Sequence, residues 1–306
     1  MANSASRPHV APEIIVRQTV RKTVPNNARS FRAPKLRPRC PVGQYGGVYD
    51  QIIDVERVAA RHWRGTEEEW LGNWLLRAAE GFTGRANSAL ALGDPGLPLD
   101  SALDTVADWY RDRGLPPMIA IPLLLDADSP GSALDQFLAE RGWPTRPGPA
   151  FVMVADLPDD TTAIGDRELP RDAAFLVDSE PDEAWLAMYH YRGQDRQPPV
   201  MREVLTSAAV QAFASIRAGH EVLAIARLSI AGGWAGITAV EVAPASRRAG
   251  LGTALTSAVC AEAAACNVGR VFLQVETGNT GARSLYERCG FRYSHRYHYR
   301  VAPTAE

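Results

Sequence analysis

The sequence predicts a mixed α/β protein in which one architecture occurs twice. Its 306 residues exceed what one hydrophobic core usually serves, so we expect two domains of about 100–150 residues. From residue 50 onward, segments with helical and with strand-like hydrophobic spacing follow one another in a similar order in both halves. Phe137–Trp143 also resembles Leu285–Phe291, since each ends a helix at a glycine that is followed by an aromatic residue. A duplicated domain explains all three observations.

In the first half, hydrophobic spacing predicts three helices and four strands. In chain order these are a helix at Ile52–Trp63, strands at Trp70–Arg77 and Ser88–Leu92, a helix at Ala102–Tyr110, a strand at Met118–Leu125, a helix at Ser132–Arg141 and a strand at Ala150–Ala155. Gly114 and Gly142 are expected to end the last two helices.

A linker around Leu157–Asp166 separates this half from the second, which repeats the pattern. The predicted elements are a strand at Ala174–Val177, helices at Asp182–Tyr191 and Met201–Ile216, strands at Glu221–Ile230 and Gly233–Val242, a long helix at Gly250–Cys266, a strand at Val271–Glu276, a helix at Gly281–Cys289 and a strand at Tyr293–Val301.

Residues 1–49 form a basic head in front of an acidic body. The head holds nine Lys and Arg residues against one acidic residue, whereas the remaining chain holds 24 basic and 34 acidic residues. Six prolines interrupt the head and its apolar content is low, so we expect a solvated tail. An arm that binds nucleic acid is the alternative, and the composition favours it less.

Composition also argues against membrane, metal and disulfide-rich classes. The longest strongly apolar stretch, Met118–Leu125, contains Pro122 and is far shorter than the about 20 residues of a spanning helix. No leader-like pattern is recognised at the start. The four cysteines form no Cys-x-x-Cys pair, so we expect neither a metal site nor a disulfide framework, and a cytoplasmic protein. Cys260, Cys266 and Cys289 are expected to be small core residues.

The segment from Val240 to Thr253 carries the main chemical signal. An apolar strand ends at Pro244, a polar loop follows, and a long helix begins at once. Gly250 and Gly252 remove side chains that would keep a ligand from the unpaired amides of the first helical turn. The helix dipole and two adjacent arginines add positive charge there. The pattern therefore predicts a phosphate-binding loop, although it lacks both the Gly-Lys-Ser/Thr of a P-loop and the third glycine of a dinucleotide site.

Four further motifs follow this loop in order: Leu273–Glu276, Asn279 with Ala282, Leu285–Glu287, and Gly290 with Phe291. Together with the loop they resemble the acyl-CoA site of the GNAT acetyltransferase superfamily, over about residues 165–302. The chain from 50 to 301 resembles the tandem GNAT arrangement. This resemblance implies a central, mostly antiparallel twisted sheet flanked by helices and duplicated, with a degenerate GNAT-like domain at 50–160 and a catalytic domain at 165–302.

The resemblance also implies a role for each matching residue. The strand Val240–Val242 offers backbone groups to the pantetheine arm, the loop wraps the pyrophosphate, and Asn279 contacts the cofactor arm. Tyr286 lies near the sulfur as the general acid. The implied acetyl-CoA-binding residues are Val240, Val242, Arg247, Arg248, Ala249, Gly250, Leu251, Gly252, Thr253 and Asn279.

Acyl transfer to an amine needs a polarised thioester carbonyl, a proton for the thiolate and a neutral amine. A strand amide near Val242 is expected to polarise the carbonyl, and Tyr286 can donate the proton. The base stays open. Glu276 is favoured slightly over Glu241, and the alternatives are His190, His295 and His298. Gln274 stands where some protein N-terminal acetyltransferases have a glutamate, which weakens any transfer of their substrate class.

The early helices of the second half are expected to face the acceptor. Trp185, Tyr189, Tyr191 and the loop 192–200 either line a pocket or form core. The first half lacks the chemistry. Its loop Gly93–Asp100 contains two acids and two prolines, and Leu138 stands where the second half has Tyr286. We therefore expect the first domain to bind no acyl-CoA and to pack on or shape the acceptor side of the second.

Taken together, the sequence predicts an acetyl-CoA-dependent N-acetyltransferase that moves an acetyl group directly to a primary amine of a small molecule or protein. The alternative is a non-catalytic acyl-CoA-binding regulatory module.

Overall fold

The computed structural model describes residues 46–126, 133–158, 169–170, 172–190 and 198–303. Within them, seven α-helices flank one sheet of eleven strands. In chain order the elements are α1 Gly46–Ala60, β1 Glu67–Leu71, β2 Trp74–Ala78, β3 Ala89–Ala91, α2 Leu99–Arg111, β4 Met118–Leu123, α3 Ala133–Glu140, β5 Ala150–Asp156, β6 Ala173–Asp178, α4 Glu183–Met188, α5 Val200–Leu205, β7 Val210–Ala218, β8 Glu221–Ala231, β9 Trp234–Val242, α6 Leu251–Ala265, β10 Arg270–Glu276, α7 Thr280–Arg288 and β11 Arg292–Val301.

The sheet is mostly antiparallel, as predicted. Its strand order is β1-β2-β3-β4-β11-β5-β10-β9-β8-β7-β6. Only β3 with β4 and β9 with β10 run parallel. Each half thus contains one parallel pair, and the two pairs lie on either side of the centre of the sheet.

The two strands at the centre are exchanged between the halves. The last strand of the first half, β5, pairs with β10 of the second half along seven residues. The last strand of the second half, β11, pairs with β4 of the first half along six residues. These two strands also pair with each other. The last strand of each half therefore lies within the part of the sheet that the other half forms. The backbone hydrogen bonds run without interruption from one half to the other.

The helices cover both faces of the sheet. Neighbouring residues within a strand show this. On β8 and β10, Ala226 and Leu273 pack with α6 and α7. The residues before them, Ile225 and Phe272, point to the other face, which α1, α4 and α5 cover. Helices α2 and α3 pack on the first half, on the face opposite to α1. We call the side with α1, α4 and α5 the α1 face.

Two predicted elements are wrong. The single strand predicted at Trp70–Arg77 is a hairpin of β1 and β2. The helix predicted at Met201–Ile216 ends at Leu205, and Val210–Ala218 forms strand β7 between β6 and β8. Four successive residues of β7 are buried because helices cover both faces of the sheet, so the burial does not alternate and hydrophobic spacing alone cannot identify the strand.

Other predictions differ at the ends of elements. Helix α4 is six residues long and is capped by Asp182, whose carboxylate accepts from the amide of Trp185. Helix α1 begins at Gly46, inside the predicted head, and residues 1–45 lie outside the described residues. So do most of the predicted linker and the segment 191–197. None of the described helices has the length and apolar character needed to cross a membrane.

Candidate active site

Strands β9 and β10 separate at the edge of the site. Their parallel pairing covers only three residues and ends at Ile237 and Leu273. Beyond that point β9 follows β8 as far as Val242, while β10 follows β5 as far as Glu276. The separation leaves a gap between two central strands, which opens the inner edge of β9 to a ligand.

A bulge in β9 starts at the gap. Ala239 has φ +52°, and the register with β8 shifts between Thr238 and Glu241. Past the bulge, the amide of Ala243 donates to the carbonyl of Leu223 on β8. Since hydrogen-bonding direction alternates along an antiparallel strand, the amide and carbonyl of Val242 point away from β8 and toward the gap. The Val242 amide, near which the sequence predicts the group that polarises the carbonyl, therefore faces the gap.

The loop after β9 presents unpaired amides. Within the described residues, no backbone carbonyl accepts a hydrogen bond from the amides of residues 248 to 252. Arg248 has φ +66° and Gly250, the N-cap of α6, has φ +81°. Left-handed residues in a turn can bring neighbouring amides to the same side, which is a backbone arrangement suited to an anion. Arg247 and Arg248 are exposed beside it.

Gly252 joins the parts of the site. A Cβ on Gly252 would lie 2.6 Å from Cδ1 of Leu285 and 3.7 Å from Cγ2 of Val242. The first turn of α6 therefore touches both the end of β9 and helix α7 at the residue before Tyr286. This contact brings together the loop, the strand edge and the tyrosine, although they are far apart in sequence.

Tyr286 is buried, and its ring packs edge-on against Phe291. Burial raises the pKa of its phenol well above the usual value, and the nearby Cys289 adds to the effect. The phenol is accordingly protonated at neutral pH. Asn279 is the N-cap of α7, where its side chain accepts from the amide of Ala282. Asn279 thereby fixes the start of the helix that carries Tyr286.

The two candidate carboxylates differ in their surroundings. Glu241 is on the α1 face at the end of β9, and its carboxylate accepts from the amide of His190 at 2.8 Å. Burial raises the pKa of Glu241, and the contacts with His190 only partly oppose this. Glu276, at the end of β10, is exposed. The other candidate histidines lie elsewhere, His295 buried against Glu56 at 2.8 Å and His298 against Asp135 at 2.7 Å.

Comparison with known proteins identifies the family. A family model described as the C-terminal region of the probable histone acetyltransferase Rv0428c matches residues 50–300. The chain belongs to this family. It is 30% identical over 258 residues to the probable histone acetyltransferase Rv0428c of Mycobacterium tuberculosis, covering 81% of this chain and 73% of that protein. It is 26% identical to the N-acetyltransferase YobR of Bacillus subtilis, covering 82% of this chain and 99% of that protein.

Solved GNAT structures share the fold. A GCN5-related N-acetyltransferase from Kribbella flavida aligns with a TM-score of 0.60 at 18% identity, over 84% of this chain and 96% of its own. A tandem GNAT protein from the clavulanic acid biosynthesis pathway aligns with a TM-score of 0.54 at 15% identity, over 65% and 68% of the two chains. Family and fold agree that the protein is a GNAT-type acetyltransferase.

In this GNAT-type protein, the predicted acceptor aromatics are core residues. Trp185 and Tyr189 are 1% and 6% exposed and pack with Trp63 and Phe82 of the first half. The first half thus packs against the early helices of the second. Tyr191 and residues 192–197 lie outside the described chain. Cys260 is buried, as expected for a core residue, and burial raises its pKa to about 12. Cys266 is exposed, so the core prediction is wrong for it, because it caps the end of α6.

The corresponding loop of the first half, Gly93–Asp100, makes contacts within itself and with a neighbouring turn. The Asp94 carboxylate accepts from the amide of Gly96, and the Asp94 carbonyl accepts from the amide of Asn73 in the turn between β1 and β2. The Cα of Gly72 in the same turn lies so close that a Cβ would meet the backbone of Pro95. The hairpin turn therefore packs directly on the backbone of this loop.

Sequence reasoning missed two polar residues on the α1 face, Arg85 and Arg227. Arg227 of β8 is fully buried, and Gln274 of β10 accepts at 2.6 Å from Arg85, which belongs to the first half. Arg227 sits in the middle of the mostly apolar strand β8, which is a signal that the sequence did contain. Arg85 belongs to no recognisable sequence motif, and only the fold brings it to the α1 face. Within the described residues, no group of three or more His, Cys, Asp or Glu is arranged to hold a metal ion.

Proposed function

We propose that this protein transfers the acetyl group of acetyl-CoA directly to a primary amine. The observation that carries the proposal is the row of unpaired amides at residues 248 to 252, which lies beside the gap between β9 and β10 and next to the helix of Tyr286. An anion-binding loop, an open strand edge and a buried acid in contact are what a thioester with a pyrophosphate tail requires.

The loop amides, with Arg247 and Arg248, would hold the pyrophosphate, and the Val240–Val242 edge would hold the pantetheine arm. The co-substrate supplies an acetyl group activated as a thioester. Asn279 keeps its capping bond in this arrangement and has its amide nitrogen left to contact the arm. The residues Ala249, Leu251, Gly252 and Thr253 contribute backbone and small surface rather than side-chain charge.

Three groups then share the reaction. The Val242 amide polarises the carbonyl, and Glu241 takes a proton from the incoming ammonium so that the neutral nitrogen can attack. As the new C–N bond forms, the C–S bond breaks and Tyr286 gives its proton to the departing sulfur. The nitrogen then releases its second proton to the Tyr286 phenolate, directly or through water, which leaves a neutral amide and restores the phenol. Glu276 is the second candidate for the base. The burial and raised pKa of Glu241 support it as the base, because a base with a pKa nearer the working pH transfers protons more effectively.

The domain division stays part of the proposal: a degenerate GNAT-like domain at 50–160 and a catalytic domain at 165–302, with strands β5 and β11 exchanged. The first domain binds no acyl-CoA, since its loop is covered by the β1–β2 turn and carries Asp94. The amine belongs to a small molecule or a protein. The relative named a probable histone acetyltransferase supports an amine acceptor.

The test is thiol release from acetyl-CoA with a panel of amines. Replacing Tyr286 with Phe removes the acid, so we expect turnover to fall about 100-fold while CoA affinity stays unchanged. Tyr110→Phe is the matched control, because Tyr110 is also buried but bonds only to the backbone of Arg77 on the first half. CoA binding without turnover for every amine would contradict an enzyme and favour an acyl-CoA-binding regulatory module.

A further inference from the structure

Two arginines on the α1 face lie over one indole ring. The guanidinium carbon of Arg85 is 4.7 Å from the centre of the Trp63 ring, and that of Arg227 is 5.4 Å from it. Arg85 and Trp63 come from the first half, whereas Arg227 comes from β8 of the second. Two like charges held so close repel each other, so the arrangement needs an additional source of stabilisation.

The pocket around Arg227 does not supply a counter-charge. Its Nε donates to the carbonyl of Leu205 and one terminal nitrogen lies 3.4 Å from the hydroxyl of Thr238. The other terminal nitrogen is buried and has no hydrogen-bond partner in the described chain. Burial, with a smaller contribution from the charge of Arg85, lowers the pKa of Arg227 to about 9. The group is still protonated at neutral pH, and a buried cation without an anionic partner is costly.

A cavity lies beside this pair. It is lined by Trp63, Arg77, Arg85, Thr238 and Gln274, and it encloses about 20 Å³, enough for one or two water-sized groups. Its one lining carboxylate, Glu56, is already paired with His295. His62, also in the wall, has its pKa lowered to about 4 by burial and is neutral. The described walls are thus rich in cations, with no uncommitted anion among them.

The cavity is on the same face of the sheet as Glu241. Thr238 stands at the start of the β9 bulge, and Gln274 follows the last paired residue of β10. Arg85 donates to the side chain of Gln274 at 2.6 Å, which fixes the guanidinium at the edge of the gap. A molecule that places its amine at Glu241 therefore has this cavity next to it, on the side away from the pyrophosphate loop.

We propose that Arg85, with the charge of Arg227 behind it, forms a subsite for an acidic group of the acceptor, so that the acceptor is a small amine that also carries a carboxylate or a phosphate. The oxyanion accepts from the guanidinium of Arg85 in the cavity wall, and its charge offsets that of the buried Arg227, which contacts Thr238 of the same wall. This inference rests on the proposed transfer to an amine.

The experiment uses the full chain and matched acceptor pairs. γ-Aminobutyrate is compared with its amide, and phosphoethanolamine with ethanolamine, so that the two pairs separate carboxylate from phosphate. We expect the acidic member of at least one pair to have a kcat/KM about tenfold or more above its neutral partner. Arg85→Gln should abolish that preference. Arg113→Gln is the matched control, since Arg113 also stacks on a tryptophan, Trp109, far from the cavity.

A readout independent of turnover is the binding of glutarate and of inorganic phosphate, titrated in the presence of CoA so that the pyrophosphate loop is covered. Wild type and Arg113→Gln should bind one of them, and Arg85→Gln, checked for an unchanged melting temperature, should not.

The outcomes separate the two proposals. Acetylation of the acidic and neutral members at equal rates would overturn the subsite and leave the acetyltransferase standing. Absence of acetylation for every amine would contradict the proposed function. In that case glutarate or phosphate binding that depends on Arg85 supports the subsite, and failure of both to bind overturns it.

Discussion

Glu241 and Glu276 lie near the ends of neighbouring strands, and these two candidates for the general base differ in their burial. Glu241 accepts from the His190 amide and is half-buried, so its pKa lies above that of an ordinary glutamate. Glu276 is exposed. A carboxylate can accept a proton only when it is ionised, so a raised pKa moves the acid limit of activity to higher pH.

We therefore expect the pH profile of kcat/KM to identify the base. Activity should fall as the pH drops through the raised pKa of Glu241. In Glu241→Gln this fall at acid pH, the acid limb, should be absent, and the rate should be about 100-fold lower. Glu276→Gln is the matched control and should keep both rate and limb. If Glu276→Gln lost the limb while Glu241→Gln kept it, the assignment would be reversed.

At the scale of elements, the loop and first turn of α6 depend on a backbone conformation. Gly250 has φ +81°, which an L side chain adopts at a cost of about 1 kcal/mol. The unpaired amides on either side of it keep their common direction only if that conformation is retained.

Gly250→Ala should therefore lower the stability of the protein by about 1 kcal/mol and also weaken CoA binding, measured by titration. Gly233→Ala is the control. Gly233 has φ +78° in the exposed β8–β9 turn, where a Cβ meets nothing within 4 Å. It should show the same loss in denaturant unfolding and unchanged CoA affinity. Equal CoA affinities for the two variants would contradict an anion-binding role for the loop.

The sequence predicted best those elements whose start is marked by a local signal such as a capping residue. Helix α6 follows its Gly250 cap and α7 follows its Asn279 cap, and both begin within two residues of the predicted position. The segment Met201–Ile216 failed because β7 is covered by helices on both faces and lies between two strands. Neither condition is local, so hydrophobic spacing could not reveal it.

At the scale of the molecule, the exchange of β5 and β11 joins the two halves. The last strand of each half pairs with the other half, and Glu56 of α1 contacts His295 of β11 across 239 residues. A half that unfolded alone would leave unpaired edges in the centre of the sheet, where the backbone groups are buried. Unfolding is therefore expected to be a single cooperative event.

Matched core variants test this expectation. Leu76 in the first half and Leu255 in the second are both almost fully buried, in separate hydrophobic clusters. We expect Leu76→Ala and Leu255→Ala each to lower the free energy of one common unfolding transition by about 2–5 kcal/mol. The measurement is hydrogen exchange of β2 and β8 amides during guanidinium unfolding. Loss of protection confined to β2 in Leu76→Ala would show that the halves unfold independently.

The sequence by itself determined the fold class, the family and the position of the proposed phosphate-binding loop, because glycines, arginines and a strand-to-helix turn act within a few residues of one another. Only the tertiary structure decided which strands meet and which polar groups share a cavity. Arg85 and Gln274 are 189 residues apart and form one hydrogen bond. Arg227 lies beside them because strand pairing and burial, which depend on the whole sheet, place it there.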